Sequence, residues 1–252
     1  MAKRDTFTIG VGAARVPDYE GSDDYRIIPA GAIRARINGI SITTNGPYLY
    51  IDVIPQSGSK VDFDVGPIAG IRFDSRRHSD DPVVSKMVKR NTAFELGGFA
   101  GVSLHGLVDP YDTLSIHLDV LHDVGNAHKS TVFDPNVSFS TPVSRKTYLS
   151  LSAGAEFVGH KFANYYFGVT PADVIATGGA LSLYNPNDGG MTSWKTTFLV
   201  NHSITGDLLH GISLFGMAQY SHLVGEFKRS PIVAERGSAS QWIGAIGAAY
   251  TW

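Results

Sequence analysis

The sequence predicts an all-β fold: a closed antiparallel transmembrane β-barrel of about twelve strands, with a short helix in one long loop, forming a single domain over residues 1–252. Two observations carry this expectation. Apolar and polar residues alternate with period two through most of the chain, as in strands with one apolar face. The segment 239–252 places Trp242, Gly244, Ile246, Ala248, Tyr250 and Trp252 on one face, aromatic at both ends. A strand that crosses a bilayer has this form, with its rings at the two interfaces.

The elements follow in order. Phe7, Ile9, Val11 and Ala13 make the first apolar face, which ends at Pro17. After a loop at 16–24, Tyr25, Ile27, Pro29, Gly31, Ile33, Ala35 and Ile37 alternate with Arg26, Ile28, Ala30, Ala32, Arg34 and Arg36. Asn38-Gly39 and Asn45-Gly46 are hairpin signals, since both central positions of such turns need positive φ. Two short strands, near 40–45 and 47–54, lie between and after them. From Val61 to Phe73 the apolar face opposes Asp62, Asp64, Arg72 and Asp74, and the charged stretch 75–91 reads as a loop. Phe94 to Leu104 forms the next strand, turning at Asp109-Pro110. Leu114, Ile116, Leu118 and Val120 then oppose Ser115, His117 and Asp119. Beyond Gly125-Asn126 come a strand with Phe133, Val137 and Phe139, a turn near Ser144, and a strand in which Leu149 to Phe157 oppose Tyr148 to Glu156. The insertion 159–190 holds the one expected helix, capped by Thr170, opened by Pro171, favoured by Asp173 and stopped by Gly178. Strands at 191–204, 207–224 and 239–252 complete the set.

With twelve strands, the loops at 16–24, 75–91, 159–190 and 225–238 share one side, and the turns near 38, 109, 144 and 206 share the other. Outer-membrane barrels show this asymmetry of long outside loops and short periplasmic turns. Trp242, Tyr250 and Trp252 are then membrane-girdle residues. The opposite faces, rich in Gly, Ser, His and Asp, suit a polar lumen lined by Arg34, Arg36, Asp62, Asp64, Arg72, Glu95, His117, Asp119 and Glu156. These charges either line a channel or pair across it and close it.

Composition bounds the function. The chain has 252 residues, net charge −2 and no cysteine, so it offers no basic footprint for nucleic acid and no disulfide or thiolate metal site. No run approaches the ~18 to 20 apolar residues of a membrane helix. The first ten residues have no apolar signal core, so for an exported protein the expectation is a mature chain without its signal peptide.

His117 and Asp119 share a face and His122-Asp123 follows, yet no third ligand with metal spacing accompanies them. There is no nucleophile elbow and no zinc helix, so no catalytic, cofactor-binding or metal residue is assigned. Gly10-Val11-Gly12 reads as a strand glycine pair rather than a dinucleotide fingerprint. Arg76, Arg77, Lys86, Lys89 and Arg90 sit in one loop and could meet lipopolysaccharide phosphates, although Asp80 and Asp81 among them favour a solvated loop.

Three loop motifs carry a resemblance. Tyr19-Glu20-Gly21-Ser22-Asp23-Asp24-Tyr25 with Pro29, then Tyr165-Tyr166-Phe167-Gly168-Val169, then Ser230-Pro231-Ile232-Val233 before a final aromatic strand, together resemble the MipA/OmpV family over nearly the whole chain. The resemblance implies a non-enzymatic outer-membrane barrel, a scaffold linking a lytic murein transglycosylase with a bifunctional murein synthase. Contact with these periplasmic enzymes then falls to the short turns near Asn38, Asp109, Ser144 and Gly206 and the barrel base, or the sidedness is inverted. A barrel in this membrane is expected to contact outer-membrane lipids and lipopolysaccharide, and by resemblance to other outer-membrane barrels its C-terminal strand is expected to be read by the barrel assembly machinery. The alternatives are a narrow channel for small solutes and, more remotely, an outer-membrane lipase-type enzyme.

Overall fold

The computed structural model describes residues 5–55, 59–73 and 76–252. Twelve antiparallel strands close into a barrel in sequence order: β1 (Thr6–Pro17), β2 (Tyr25–Ile37), β3 (Ile40–Asn45), β4 (Tyr48–Asp52), β5 (Val61–Arg72), β6 (Ala93–His105), β7 (Thr113–Asp123), β8 (Thr131–Pro142), β9 (Thr147–Val158), β10 (Gly190–Ser203), β11 (Gly211–Leu223) and β12 (Ser240–Thr251). Closure is between β1 and β12, where Thr8 opposes Thr251 and Arg15 opposes Gly244. Because side chains alternate, the register assigns every strand residue to lipid or lumen. In β12 the Trp242 to Trp252 face points outward, with Ile246 71% exposed, while Gln241, Ile243, Ala245, Gly247 and Ala249 point inward.

The aromatic residues gather at two heights. Trp194, Tyr220 and Trp242 pack edge-on or tilted with centroids 5.3 and 5.0 Å apart. At the other end Trp252 lies 5.5 Å from Phe7 and 4.6 Å from Tyr250. Ten residues at about 3.4 Å each, tilted by about 40°, separate the two groups by roughly 25 Å, the height of an outer-membrane apolar band. The chain therefore lies in the outer membrane, with its three longest connections, after β5, β9 and β11, on the Trp242 side, taken as outside.

Several boundaries differ from expectation for local reasons. β4 stops at Asp52 because its carboxylate accepts the Ile54 and Val65 amides at 3.1 and 3.2 Å. β11 begins at Gly211, since residues 204–210 form a turn closed by the Asp207 N–H donating to His210 O at 3.1 Å. One inside connection, 53–60, is not short. The expected helix is α2 (Pro171–Ala176), where Thr170 and Asp173 form a reciprocal capping box. Two further helices, α1 (His160–Phe167) and α3 (Pro231–Ala234), carry no side-chain N-cap bond and thus no local start signal of that kind. Asp74 and Ser75, assigned above to a strand end and a loop, lie outside the described residues.

Strand glycines make room for lumen rings. A Cβ at Gly70 would stand 2.0 Å from the Tyr48 ring, so Tyr48 reaches across β5 only because position 70 has no side chain. The orientation has a direct test. Ile246→Lys, at the lipid-facing middle of β12, is expected to destabilise the barrel in vesicles by about 2–4 kcal/mol, and Ser150→Lys, facing the lumen, by less than about 1. Urea titration of both variants measures the difference.

Candidate functional site

The outer mouth of the barrel is filled by a lid folded from four loops. α1 lowers Phe162 into the mouth, fully buried, with its ring 5.0 Å from His128 and 4.7 Å from Tyr166. Around it pack Val84, Leu181, Phe227, Ile232 and Val233, each 2% exposed or less. The lid holds much of the buried apolar cluster, which continues into the barrel through Ile68 and Phe99.

The three sequence motifs meet there. Tyr19 donates its hydroxyl to Ile232 O at 2.9 Å and to Arg236 O at 3.1 Å. The Gly21 amide donates to Gln241 Oε1 at 3.2 Å, and its φ of 101° with Val233 pressed against it leaves no place for a side chain. Ser22 is buried and accepts the Asp24 amide at 3.1 Å. Tyr25 stands at the outer girdle, its hydroxyl accepting the Trp242 amide at 3.2 Å and its ring beneath the Arg15 guanidinium at 3.8 Å. Tyr165 accepts the Asn91 amide at 2.6 Å, and Tyr166 lies in the buried face of α1. Gly168 passes so close to Asn164 O that a Cβ would sit 2.4 Å away. Ser230 donates to Phe167 O at 2.6 Å, joining the second and third motifs, and Pro231 opens α3. Pro29 alone stands apart, on the outward face of β2.

The basic loop does not present one surface. Arg76 is buried and donates to Tyr165 O at 3.3 Å, while Arg90 pairs with Asp173 at 3.0 Å. Lys86 and Lys89 remain exposed. A second pair, Arg236 with Asp81 at 2.7 Å, ties the 76–92 loop to the last one.

Beneath the lid, a charged cluster spans the lumen. Arg72 bonds Glu95 through Nε and Glu156 through Nη2, both at 3.1 Å. Glu95 is fully buried and also meets Tyr48 OH at 2.5 Å and His128 Nε2 at 3.0 Å, and Glu156 accepts the Thr192 hydroxyl at 3.0 Å. Below this, Lys195 pairs with Asp134, and Tyr50 donates to Asp119 at 2.8 Å. Further toward the turns, Asp64 accepts Ser103 Oγ at 2.5 Å and faces His117 at 3.4 Å, and Asp62 faces His105 at 3.2 Å. Arg34 and Arg36 also point inward, on the turn half of β2. His122 faces outward against Thr131, whereas Asp123 folds the 124–130 loop through the Gly125 and Lys129 amides. Among the described residues no three of His, Cys, Asp and Glu converge as metal ligands. His128, Tyr48 and Lys195 were not singled out from the sequence. Their partners lie 33, 47 and 61 residues away, beyond any local signal.

Two lid carboxylates are held below their ordinary range. Burial opposes this, but Asp81 receives the Val84 and Val83 amides and Arg236, and Asp173 receives the Thr170 hydroxyl and amide, the Val88 amide and Arg90. Glu20 behaves oppositely. It is half-buried by surface, yet its carboxyl is crowded by protein in the mouth, and burial with the nearby Glu156 charge pushes it up to about 7. Depressed groups contribute stability at neutral pH that disappears as pH falls through their folded pKa. A raised acid contributes stability present below its ordinary value and lost as pH rises through about 7.

A comparison with protein families matches residues 9–252 to the family described as MltA-interacting protein MipA. Among curated proteins none matches the sequence. Among solved structures, the NanC porin shares the fold with a TM-score of 0.50 at 12% identity, over 96% of this chain and 98% of the porin. The CymD monoaromatic hydrocarbon channel gives a TM-score of 0.43 at 9% identity, over 100% of this chain and 89% of that one.

Two outcomes are expected of the lid. Between about pH 6 and about pH 8 the amides of residues 18–24 gain hydrogen-exchange rate beyond the intrinsic pH dependence, and Glu20→Gln removes that gain. Arg72→Met leaves Glu95 buried beside an apolar side chain and is expected to cost about 3–5 kcal/mol. Denaturant unfolding in vesicles reads the loss.

Proposed function

This chain belongs to the MltA-interacting protein MipA family, and on that premise we propose that it is a non-enzymatic scaffold of the outer membrane, holding murein-processing enzymes at the periplasmic rim of its barrel. The ordered turns at the inner end carry the reading. Outside, loops seal the mouth with a packed core and ion pairs. Inside, the turns expose apolar side chains: Val108 is 89% exposed, Tyr111 77% and Leu209 66%. The β6–β7 turn is rigid despite this exposure, because Asp112 accepts the Leu107, Val108 and Asp109 amides at 2.7–2.9 Å. Preordered apolar side chains on a polar surface suit a protein partner, since little freedom is lost on docking. The family is named for interaction with MltA, and the resemblance implies a murein lytic enzyme as one client and a murein synthase as the second.

A gated narrow channel is the second reading, favoured by the half-buried serines Ser138, Ser140, Ser150 and Ser152 that line the turn half of the lumen. Capture by the folded barrel tests the first. The double variant Val108→Ser, Tyr111→Ser should weaken capture of the lytic transglycosylase about tenfold or more, while Arg236→Ala in the lid leaves it unchanged. Equal capture by both variants would count against docking at the turns.

A further inference from the structure

Among the described residues, the ladder on one side of β2 covers only part of that strand. β2 pairs with β1 over its whole length, but β3 reaches only Arg34–Ile37 of β2, and the hairpin turns back at Gly46. Ile33 donates its amide to the Thr44 hydroxyl at 2.9 Å, so the odd-numbered residues of β2 direct their backbone groups toward β3. Among the described residues, the β3-facing backbone groups of Ile27, Pro29 and Gly31 meet no strand. Pro29 belongs to such an edge, because it has no N–H to leave unpaired. The edge starts beside Tyr25 at the outer girdle and runs about 20 Å along the strand. It therefore lies in the outer half of the apolar band, where an unpaired backbone is tolerated only if it is buried in protein or lines a water-filled cavity.

The two sides of the gap are alike. Outward Ile27 is 76% exposed, and inward Ile28, although it faces the lumen, is 36% exposed. Ala30 and Ala32 continue that inner apolar strip, and Ala14 and Ala245 extend it around β1 and β12 at the level of Ile28. The strip ends at Arg34, inward and exposed, with no carboxylate within ion-pair distance among the described residues. An apolar path from lipid to lumen that ends on an unmatched guanidinium has the chemistry of a long-chain carboxylate.

We propose that the gap between β2 and the β3–β4 hairpin is a lateral portal through which a fatty acid enters from the outer leaflet, its chain along Ile28, Ala30 and Ala32 and its carboxylate on Arg34. The assignment is independent of the scaffold reading. The chain has no cysteine, so single labels are clean. The full-length protein in vesicles, with bimane at Ala32→Cys, is titrated with dibromostearate, against Ser152→Cys on the opposite polar wall; Ala30→Cys serves as a second site if the first variant does not fold. Saturable quenching at Ala32 or Ala30, absent at Ser152, is expected. Arg34→Gln, or the methyl ester of the same acid, should raise the half-saturating concentration about tenfold. Equal quenching at Ser152, or titrations indifferent to both changes, would overturn the portal. Quenching at Ala245→Cys as well supports passage into the lumen, and its absence overturns that part of the path.

Discussion

A sheet inside hydrocarbon has no water to satisfy an unpaired N–H or C=O, and this constraint organises the molecule from its sequence to its surface. It forces β12 back onto β1, and it fixes the alternation of lipid-facing and lumen-facing residues. Closure leaves the lumen as the only place for polar groups. Charges on β5, β6 and β9 are therefore driven inward, and once inward they must find one another. Arg72 is the meeting point: it joins Glu95 and Glu156 across the barrel, and its guanidinium lies 5.0 Å from the Phe162 ring. The membrane thus dictates the cluster, and the cluster supports the lid.

The lid changes what the barrel can do. A water-filled lumen open at both ends would be a pore. Here the outer end carries much of the buried apolar cluster, so solvent entry from outside requires unpacking Phe162, Ile232 and Val233 together with the Arg236–Asp81 and Arg90–Asp173 pairs. The inner end presents turns ordered by Asp112 and Asp207. Among the described residues, β2 leaves part of one edge without a strand partner. The scaffold is proposed at the periplasmic turns and the portal at the outer leaflet beside β2.

The barrel was legible in the sequence because a strand in a membrane repeats its environment every second residue. Arg34, Asp64 and Glu156 share the parity of their neighbours, and Trp242 and Trp252 bracket a strand of the right length. The lid was not legible as a structure. Tyr19 meets Ile232 and Ser230 meets Phe167, contacts 213 and 63 residues apart that no periodicity encodes. The motifs that contain these residues stood out as strings, and their joint burial supplies the physical reason for those side chains. α1 escaped notice because Gly159 gives it no side-chain cap and its start depends on tertiary packing. Arg76 and Arg90 looked like solvated charges until the structure supplied Tyr165 and Asp173 as partners.

The central claim is that the outer mouth is sealed by packing rather than merely narrowed by loops. Planar-bilayer recording of the purified full-length barrel tests it most directly. The intact protein is expected to show no steady conductance steps, and Arg72→Met, which removes the charged support beneath Phe162, is expected to produce them. Stable steps from the intact protein, with amplitudes indifferent to Arg72, would contradict the account.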